Sequence, residues 1–230
     1  KPLCTGRRGR RVTYGDAPID EFLDDVASER VAPAGGTAAA ITGATGAALC
    51  EMVCIHAMAA GRERPAGSVG ATDADAAGDE PRTEPAGPDG DHEEPSFPEM
   101  RSGLRRRRAA LLALADRDGA VVEELFGADG APSTRVERRA VGIPLAVAEA
   151  ALEVLIDAET VFRHGRAGVV ADARTGAYLA DAAVRASVAT VRTNAAALPE
   201  GSFAADVEER ATDVAAAAAA VRGRSFDAEG

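Results

Sequence analysis

The sequence predicts an all-α protein, a multi-helical bundle that carries a long disordered acidic insert. Aromatic residues make up only 3% of the 230 residues and Trp is absent, so the core must be built from Ala, Val and Leu. Such a core favours close-packed helices over a β-sandwich. Apolar residues recur at helical spacing in five or six segments, and no segment shows the alternation typical of a strand.

The first predicted helix follows a basic stretch, residues 1–15, that has no periodicity and is predicted to be a loose tail. The apolar region of a signal peptide is missing after these basic residues, so we expect no signal peptide. We also expect no membrane span, because no segment of the chain reaches the roughly 20 apolar residues that one needs. Helical spacing of apolar residues then predicts a short amphipathic helix over residues 16–30, which Pro33 ends. These apolar residues are Ile19, Phe22, Leu23 and Val26.

The second predicted helix is rich in Ala and Gly, runs to Gly61 and lacks a broad polar face. We expect it to be central and buried, with Thr37 as its N-cap. Gly43 and Gly46 each cost about 1 kcal/mol of helix propensity, which the close approach of another helix would offset. Cys50 and Cys54 lie on one face of this helix and are expected to be small buried side chains, with no metal bound.

The next stretch is rich in Pro, Asp and Glu and has almost nothing to bury. We predict a disordered insert over residues 62–102. It interrupts a single helical domain over residues 16–222, and residues 223–230 are predicted to be a tail.

A third helix, from about Gly103 to Phe126, has one apolar stripe, and Asp118 falls within it. Burial of a carboxylate on such a stripe is costly without a partner. Asp118 is therefore either paired for structural reasons or held there for chemistry, where burial can raise its pKa.

Three further helices complete the predicted bundle. One runs from Ser133 to His164, with Pro144 either starting its main part or kinking it, and Gly165 is placed to end it. The next extends to Leu198 with Asp172 as its expected N-cap. The last is capped by Ser202 and ends at Gly223.

The formal net charge is −11, with 37 acidic and 26 basic residues, and Lys1 is the only lysine. This charge repels phosphates and argues against nucleic acid as a partner. The same pattern is typical of proteins from salt-accumulating organisms, the alternative being an ordinary acidic protein from a GC-rich genome. Three cysteines, an odd number, indicate reduced thiols and a cytoplasmic protein.

Six short segments, in order along the chain, resemble those of the cyclodeaminase/cyclohydrolase family. The most specific is PAGGTAAA at residues 33–40, which is similar to the family's PxPGGGSAAA. The others are GATGAAL with EMV at 43–53, DRDGA at 116–120, IPLAVA at 143–148, Ala171-Asp172, and VRTN at 191–194. The sequence departs from the family at Ala34, Thr37, Ala171, Thr190 and Arg62, where the family often has Gly, Ser, Ser, Asn and Lys.

The resemblance implies a homodimeric enzyme with a one-carbon tetrahydrofolate derivative as substrate and no further cofactor. We expect it to be a methenyltetrahydrofolate cyclohydrolase with Asp118 as the catalytic carboxylate. Asp172 is the second candidate, although N-capping would also explain it. Substrate-binding candidates are Gly35, Gly36 and Thr37 through N–H groups and a hydroxyl, Arg62 and Arg192 for the glutamate tail, and Asn194 for the pterin.

Four alternatives remain open. Formiminotetrahydrofolate cyclodeamination has a similar tetrahedral intermediate and the same scaffold. A non-catalytic folate-binding helical protein would explain the departures from the family motifs. Arg192 has a structural alternative of its own, a solvated position with its stem packed over Ala. The pterin itself, tetrahydrofolate or tetrahydromethanopterin, is also undetermined.

Overall fold

The computed structural model describes residues 13–63, 96–127, 131–165, 168–199 and 201–225, without the side chains of 60–63 and 225. These ranges form one 3-10 turn, Tyr14–Asp16, and six α-helices, with no strand. The helices are α1 (Ile19–Val26), α2 (Gly35–Glu63), α3 (Phe97–Phe126), α4 (Thr134–His164), α5 (Val170–Ala195) and α6 (Ser202–Ser225). The predicted all-α class is confirmed. Most of the predicted insert, residues 64–95, lies outside the described residues, as do residues 1–12 and 226–230 of the predicted tails.

Helix α2 occupies the centre of the bundle, packed against α3, α4 and α5, while α6 covers α4 and α5. Its small residues allow the neighbouring backbones to come close. A Cβ atom added to Gly46 would lie 2.7 Å from the carbonyl oxygen of Gly176 on α5, and one added to Gly43 would lie 3.3 Å from the Cβ of Ala183. The predicted close approach of a second helix is therefore confirmed. Cys50 and Cys54 are both buried in this core.

The expectation that no segment is long and apolar enough to cross a membrane was wrong. Residues 35–59 of α2 meet that requirement by length and hydropathy, and 56% of the most apolar window is buried inside the protein. In this fold the apolar length serves packing, because three helices surround α2.

Several predicted helix ends differ from the observed ones. Helix α2 starts at Gly35, so Thr37 is inside the first turn and is not its N-cap. Helix α3 starts at Phe97, inside the predicted insert. Helix α6 continues past Gly223, and Ser202 is its first residue. Gly165 has an extended conformation, with φ −71°, and so does not form the left-handed C-cap that a glycine often provides.

The prediction that Asp172 is the N-cap of α5 was also wrong. Val169 precedes α5, and the Asp172 N–H donates to the Val169 carbonyl at 3.1 Å. Asp172 is thus in the first helical turn, where its charge is still favourable beside the helix N-terminus.

Candidate active site

The site is built around the start of α2, which α3 approaches from the opposite direction. Leu111 of α3 lies beside Gly43, and Arg108 lies beside Glu51, further along α2. The two helices are therefore antiparallel. This arrangement carries Asp118, in the second half of α3, to the N-terminus of α2.

Asp118 is 4% exposed and is held by Thr37. The Thr37 hydroxyl donates to Oδ2 of Asp118 at 2.8 Å, and the Thr37 backbone N–H also donates to this carboxylate. Burial raises the pKa of Asp118, while the hydrogen bonds from the Thr37 side chain and backbone act in the opposite direction. The net effect is a raised pKa, so burial is the larger influence.

Gly36 leaves the space that this carboxylate occupies. A Cβ atom at Gly36 would lie 2.4 Å from Oδ1 of Asp118 and 2.8 Å from its Cγ. At Gly35, one residue earlier, a Cβ atom would meet nothing within 4 Å. The glycine at position 36 is therefore required by the position of Asp118, whereas the one at 35 is not.

A cleft of about 250 Å³ opens beside Asp118 between α2, α3, α4 and α5. Gly35 and Gly36 line it at the helix N-terminus, and Thr190 and Asn194 line it from α5. The first helical hydrogen bond of α2 runs from the Ala38 N–H to the Ala34 carbonyl, so the preceding N–H groups have no carbonyl within the helix. The apolar wall of the cleft consists of Val31, Ala34, Val121, Val122, Leu125, Phe126 and Ala140.

Asn194 is half-buried and has a fixed orientation. Its Nδ2 donates to the Ala140 carbonyl of α4 at 2.8 Å. An amide carries its donors on one side and its acceptor on the other, so this bond decides which end is which. Of the predicted site residues, the structure thus brings together Gly35, Gly36, Thr37, Asp118 and Asn194.

Two predicted site residues lie elsewhere in this chain. Arg192 is on another face of α5, where its guanidinium binds Glu208 at 3.0 Å and the Thr212 hydroxyl at 3.4 Å. Asp172 is at the opposite end of α5, about 27 Å from Thr190 at about 1.5 Å per residue. Neither meets Asp118, because Arg192 points from another face of α5 towards α6 and Asp172 lies at the far end of the helix. The side chain of Arg62 lies outside the described residues.

Glu51, in the family-like EMV segment, has a structural role. It is buried and pairs with Arg108 at 3.0 Å and Arg101 at 4.0 Å, both on α3. At about 1.5 Å per residue, it lies about 21 Å along α2 from Thr37. It therefore joins α2 to α3 at a distance from the cleft.

Sequence reasoning missed a second cavity beside the same stretch of α3. It has a volume of about 450 Å³ and is lined by Tyr14 and Asp116, among others. The Tyr14 backbone N–H donates to Oδ1 of Asp116 at 2.8 Å, so residues 13–15, the end of the predicted loose tail, are held against α3. Burial, and then the charge of Glu123, raise the pKa of Tyr14. The sequence offered one signal for this cavity, the aromatic residue Tyr14 in an otherwise basic and aperiodic stretch.

The family model described as formiminotransferase-cyclodeaminase matches residues 18–68 and 88–213. The chain belongs to this family. It is 28% identical over 226 residues to a methenyltetrahydrofolate cyclohydrolase of Methylorubrum extorquens, a match that covers 93% of this chain and 96% of the relative. The resemblance inferred from the short segments is therefore confirmed.

The fold is also similar to that of a solved family structure. The crystal structure of formiminotetrahydrofolate cyclodeaminase from Thermotoga maritima matches with a TM-score of 0.73 over 91% of this chain and 94% of that one. Sequence identity is 19%, so this comparison supports the architecture alone.

Proposed function

We propose that this protein is a methenyltetrahydrofolate cyclohydrolase, which hydrolyses 5,10-methenyltetrahydrofolate to 10-formyltetrahydrofolate. The observation that carries the proposal is the buried carboxylate of Asp118, held at the N-terminus of α2 beside a cleft. The cyclohydrolase of M. extorquens, similar over almost the whole chain, supports this choice of reaction.

The substrate carries a positive charge spread over N5, the bridging carbon and N10. Asp118 supplies the opposite charge in a site shielded from water, where electrostatic interactions are strongest. As general base it takes a proton from the water molecule that attacks the bridging carbon. This step forms a neutral tetrahedral intermediate and leaves Asp118 protonated.

The second step breaks the bond between the bridging carbon and N5. N5 takes the proton from Asp118 as the bond breaks, and the hydroxyl of the intermediate loses its own proton to solvent as it becomes the formyl oxygen. Asp118 returns to its ionised form, and one proton is released overall. A raised pKa suits this exchange, because the group must both accept and return a proton near neutral pH.

Formiminotetrahydrofolate cyclodeamination is the second candidate, favoured by the family match. In that reaction N10 attacks the formimino carbon, a carboxylate transfers protons, and ammonia leaves. The same position of Asp118 would serve both reactions, so the substrate has to be decided by assay.

The deciding experiment follows the absorbance of methenyltetrahydrofolate at high KCl, with spontaneous hydrolysis as baseline. We expect the wild type to accelerate its decay and Asp118→Asn to lose about 100-fold or more of that rate. Asp118→Asn should fold normally, because it removes the cost of burying a charge and keeps an acceptor for Thr37. A folded wild type without acceleration would overturn the proposal. Ammonia release from the formimino substrate would then support the second candidate, and binding without turnover a folate-binding protein.

The assembly is proposed to be a homodimer. Helix α1 has exposed apolar residues, with Ile19 78% and Leu23 56% exposed, although the sequence pattern predicts an amphipathic helix that buries them. A second copy of the chain would cover such a face. Sedimentation should give twice the chain mass of 23.4 kDa, and Leu23→Asp should shift the protein towards the monomer.

The protein is further proposed to act in the cytoplasm of a salt-accumulating organism. Cys50 and Cys54 are both free thiols, and the net charge is −11. Fractionation of the source cells would test the location. Parallel assays with the tetrahydrofolate and tetrahydromethanopterin substrates would identify the pterin.

A further inference from the structure

Pro144 interrupts the hydrogen bonds of α4 without ending the helix. The helix runs from Thr134 to His164 with Pro144 buried inside it. Proline has no backbone N–H, so it cannot donate to the carbonyl four residues earlier, which is that of Ala140. One carbonyl in the wall of the cleft is therefore left without its helical donor.

A side chain from α5 takes the place of that donor. Nδ2 of Asn194 donates to the Ala140 carbonyl at 2.8 Å, and both residues line the cleft that contains Asp118. With Nδ2 committed, the other end of the amide is an acceptor, Oδ1. Among the described residues, Oδ1 of Asn194 has no hydrogen-bond partner.

We propose that Pro144 is a positioning residue, which fixes the Asn194 amide so that its Oδ1 accepts a hydrogen bond from an N–H group of the substrate's pterin ring. This inference rests on the proposed function, because it assigns a ligand group to the same cleft. Asn194 touches the substrate, and Pro144 acts only through Asn194. A proline that served merely to bend α4 would have no such dependence on Asn194.

Replacing Pro144 should change the hydrogen bonds of α4 and, through them, the orientation of Asn194. Pro144→Ala restores an N–H that donates to Ala140, so the helical bond competes with the bond from Asn194. The amide is then free to rotate, and the acceptor is no longer held towards the ligand. Helix α4 itself regains a hydrogen bond and a better helix former, so folding should not suffer.

The test is a double-mutant cycle with wild type, Pro144→Ala, Asn194→Ala and the double variant. The dissociation constant of 5-formyltetrahydrofolate is measured by calorimetry, and KM and kcat with methenyltetrahydrofolate. We expect each single variant to raise the dissociation constant and KM about five- to twentyfold, with little change in kcat. The double variant should be no worse than Asn194→Ala alone. Thr193→Ala is the matched control on the same turn, because its exposed hydroxyl binds only the Ala189 carbonyl of its own helix.

Two results would overturn the proposal: unchanged binding and KM in Pro144→Ala, or an equal loss whether or not Asn194 is present. If Pro144→Ala does not fold, Asn194→Leu decides, because it keeps about the same size and removes both the donor to Ala140 and the acceptor for the ligand; wild-type binding by this variant would contradict the proposal. If the wild type binds 5-formyltetrahydrofolate but does not hydrolyse methenyltetrahydrofolate, the proposed function is refuted, while the binding measurements of the four proteins still test the role of Pro144. A wild type that neither binds nor hydrolyses refutes both.

Discussion

At the scale of single residues, Asp118 combines a structural and a chemical role. It accepts hydrogen bonds from the side chain and backbone of Thr37 and so caps α2 from a different helix. A capping carboxylate at a helix N-terminus is normally stabilising, but here burial raises its pKa. The hydrogen bonds hold the ionised carboxylate in place, while burial makes it readier to accept a proton. A general base needs both properties.

The first prediction concerns the pH dependence set by Thr37. Thr37→Val removes a hydrogen bond to the ionised carboxylate, so the pKa of Asp118 should rise further. The acidic limb of kcat/KM should then move to higher pH, while Thr37→Ser, which keeps the hydroxyl, should leave it unchanged. The pH–rate profiles of the three proteins measure this effect, and coincident profiles would contradict it.

The raised pKa of Asp118 should also affect stability, but in the opposite direction: activity falls as the pH is lowered, whereas stability falls as the pH is raised. Because the folded-state pKa of Asp118 lies above the ordinary value of 3.8, the native state binds more protons between the two pKa values. The contribution of Asp118 to the free energy of unfolding should therefore fall as pH rises through that window. Asp118→Asn should remove this dependence in urea unfolding measured across the acid range.

The next prediction compares adjacent glycines. Gly36→Ala would place a methyl group against Asp118, whose carboxylate must move, and a displacement of about 1 Å costs about 100-fold in rate. Gly35→Ala should keep activity and raise the free energy of unfolding by up to about 1 kcal/mol. Steady-state kinetics and urea unfolding of both variants are the measurements. Equal activities would show that Asp118 does not need its present position.

At the scale of helices, the bundle depends on the crossing of α2 and α5. Gly46 and Gly176 face each other there, and each would bring a Cβ atom within 3 Å of the other's carbonyl oxygen. Backbone atoms cannot rotate away as a side chain can. The loss of helix propensity at these glycines is thus compensated by closer packing, which in turn brings Thr190 and Asn194 of α5 to the start of α2.

This crossing gives a stability prediction. Gly46→Ala should lower the free energy of unfolding by about 1–3 kcal/mol, because the new methyl group meets the Gly176 backbone. Gly142→Ala on α4 is the control: its Cβ atom meets nothing within 4 Å, so it should stabilise by up to about 1 kcal/mol. Chemical unfolding of both variants tests the pair. A neutral Gly46→Ala would mean that the two helices can separate without cost.

At the scale of the whole molecule, the net charge determines how stability depends on salt. A net charge of −11 repels itself at low ionic strength. Ion pairs such as Arg210 with Glu149 are partly exposed, and exposed pairs contribute little each. Added salt therefore relieves more repulsion than it weakens attraction.

The melting temperature should accordingly rise with KCl. An increase of about 1 kcal/mol in stability corresponds to about 2–4 °C for a chain of this size. Thermal unfolding from 0.05 to 2 M KCl measures the change. A flat or falling curve would favour the alternative reading of the composition, an ordinary acidic protein from a GC-rich genome.

The sequence by itself determined the all-α class, the buried position of α2 and the presence of Asp118 on an apolar stripe. These features follow from periodicity and residue size, which are local properties of the chain. The short family segments likewise identified Gly35, Gly36, Thr37, Asp118 and Asn194, which the structure brings to one cleft.

Only the tertiary structure decided what these residues contact. Thr37 was expected to cap its own helix and instead holds Asp118 of α3; Arg192 and Asp172, expected at the site, lie away from it in this chain. The partner of Asn194 was not predictable either, because it depends on a carbonyl that Pro144 leaves free on another helix. Such contacts depend on how far each helix is rotated and shifted against its neighbours, and periodicity within one helix carries no information about this.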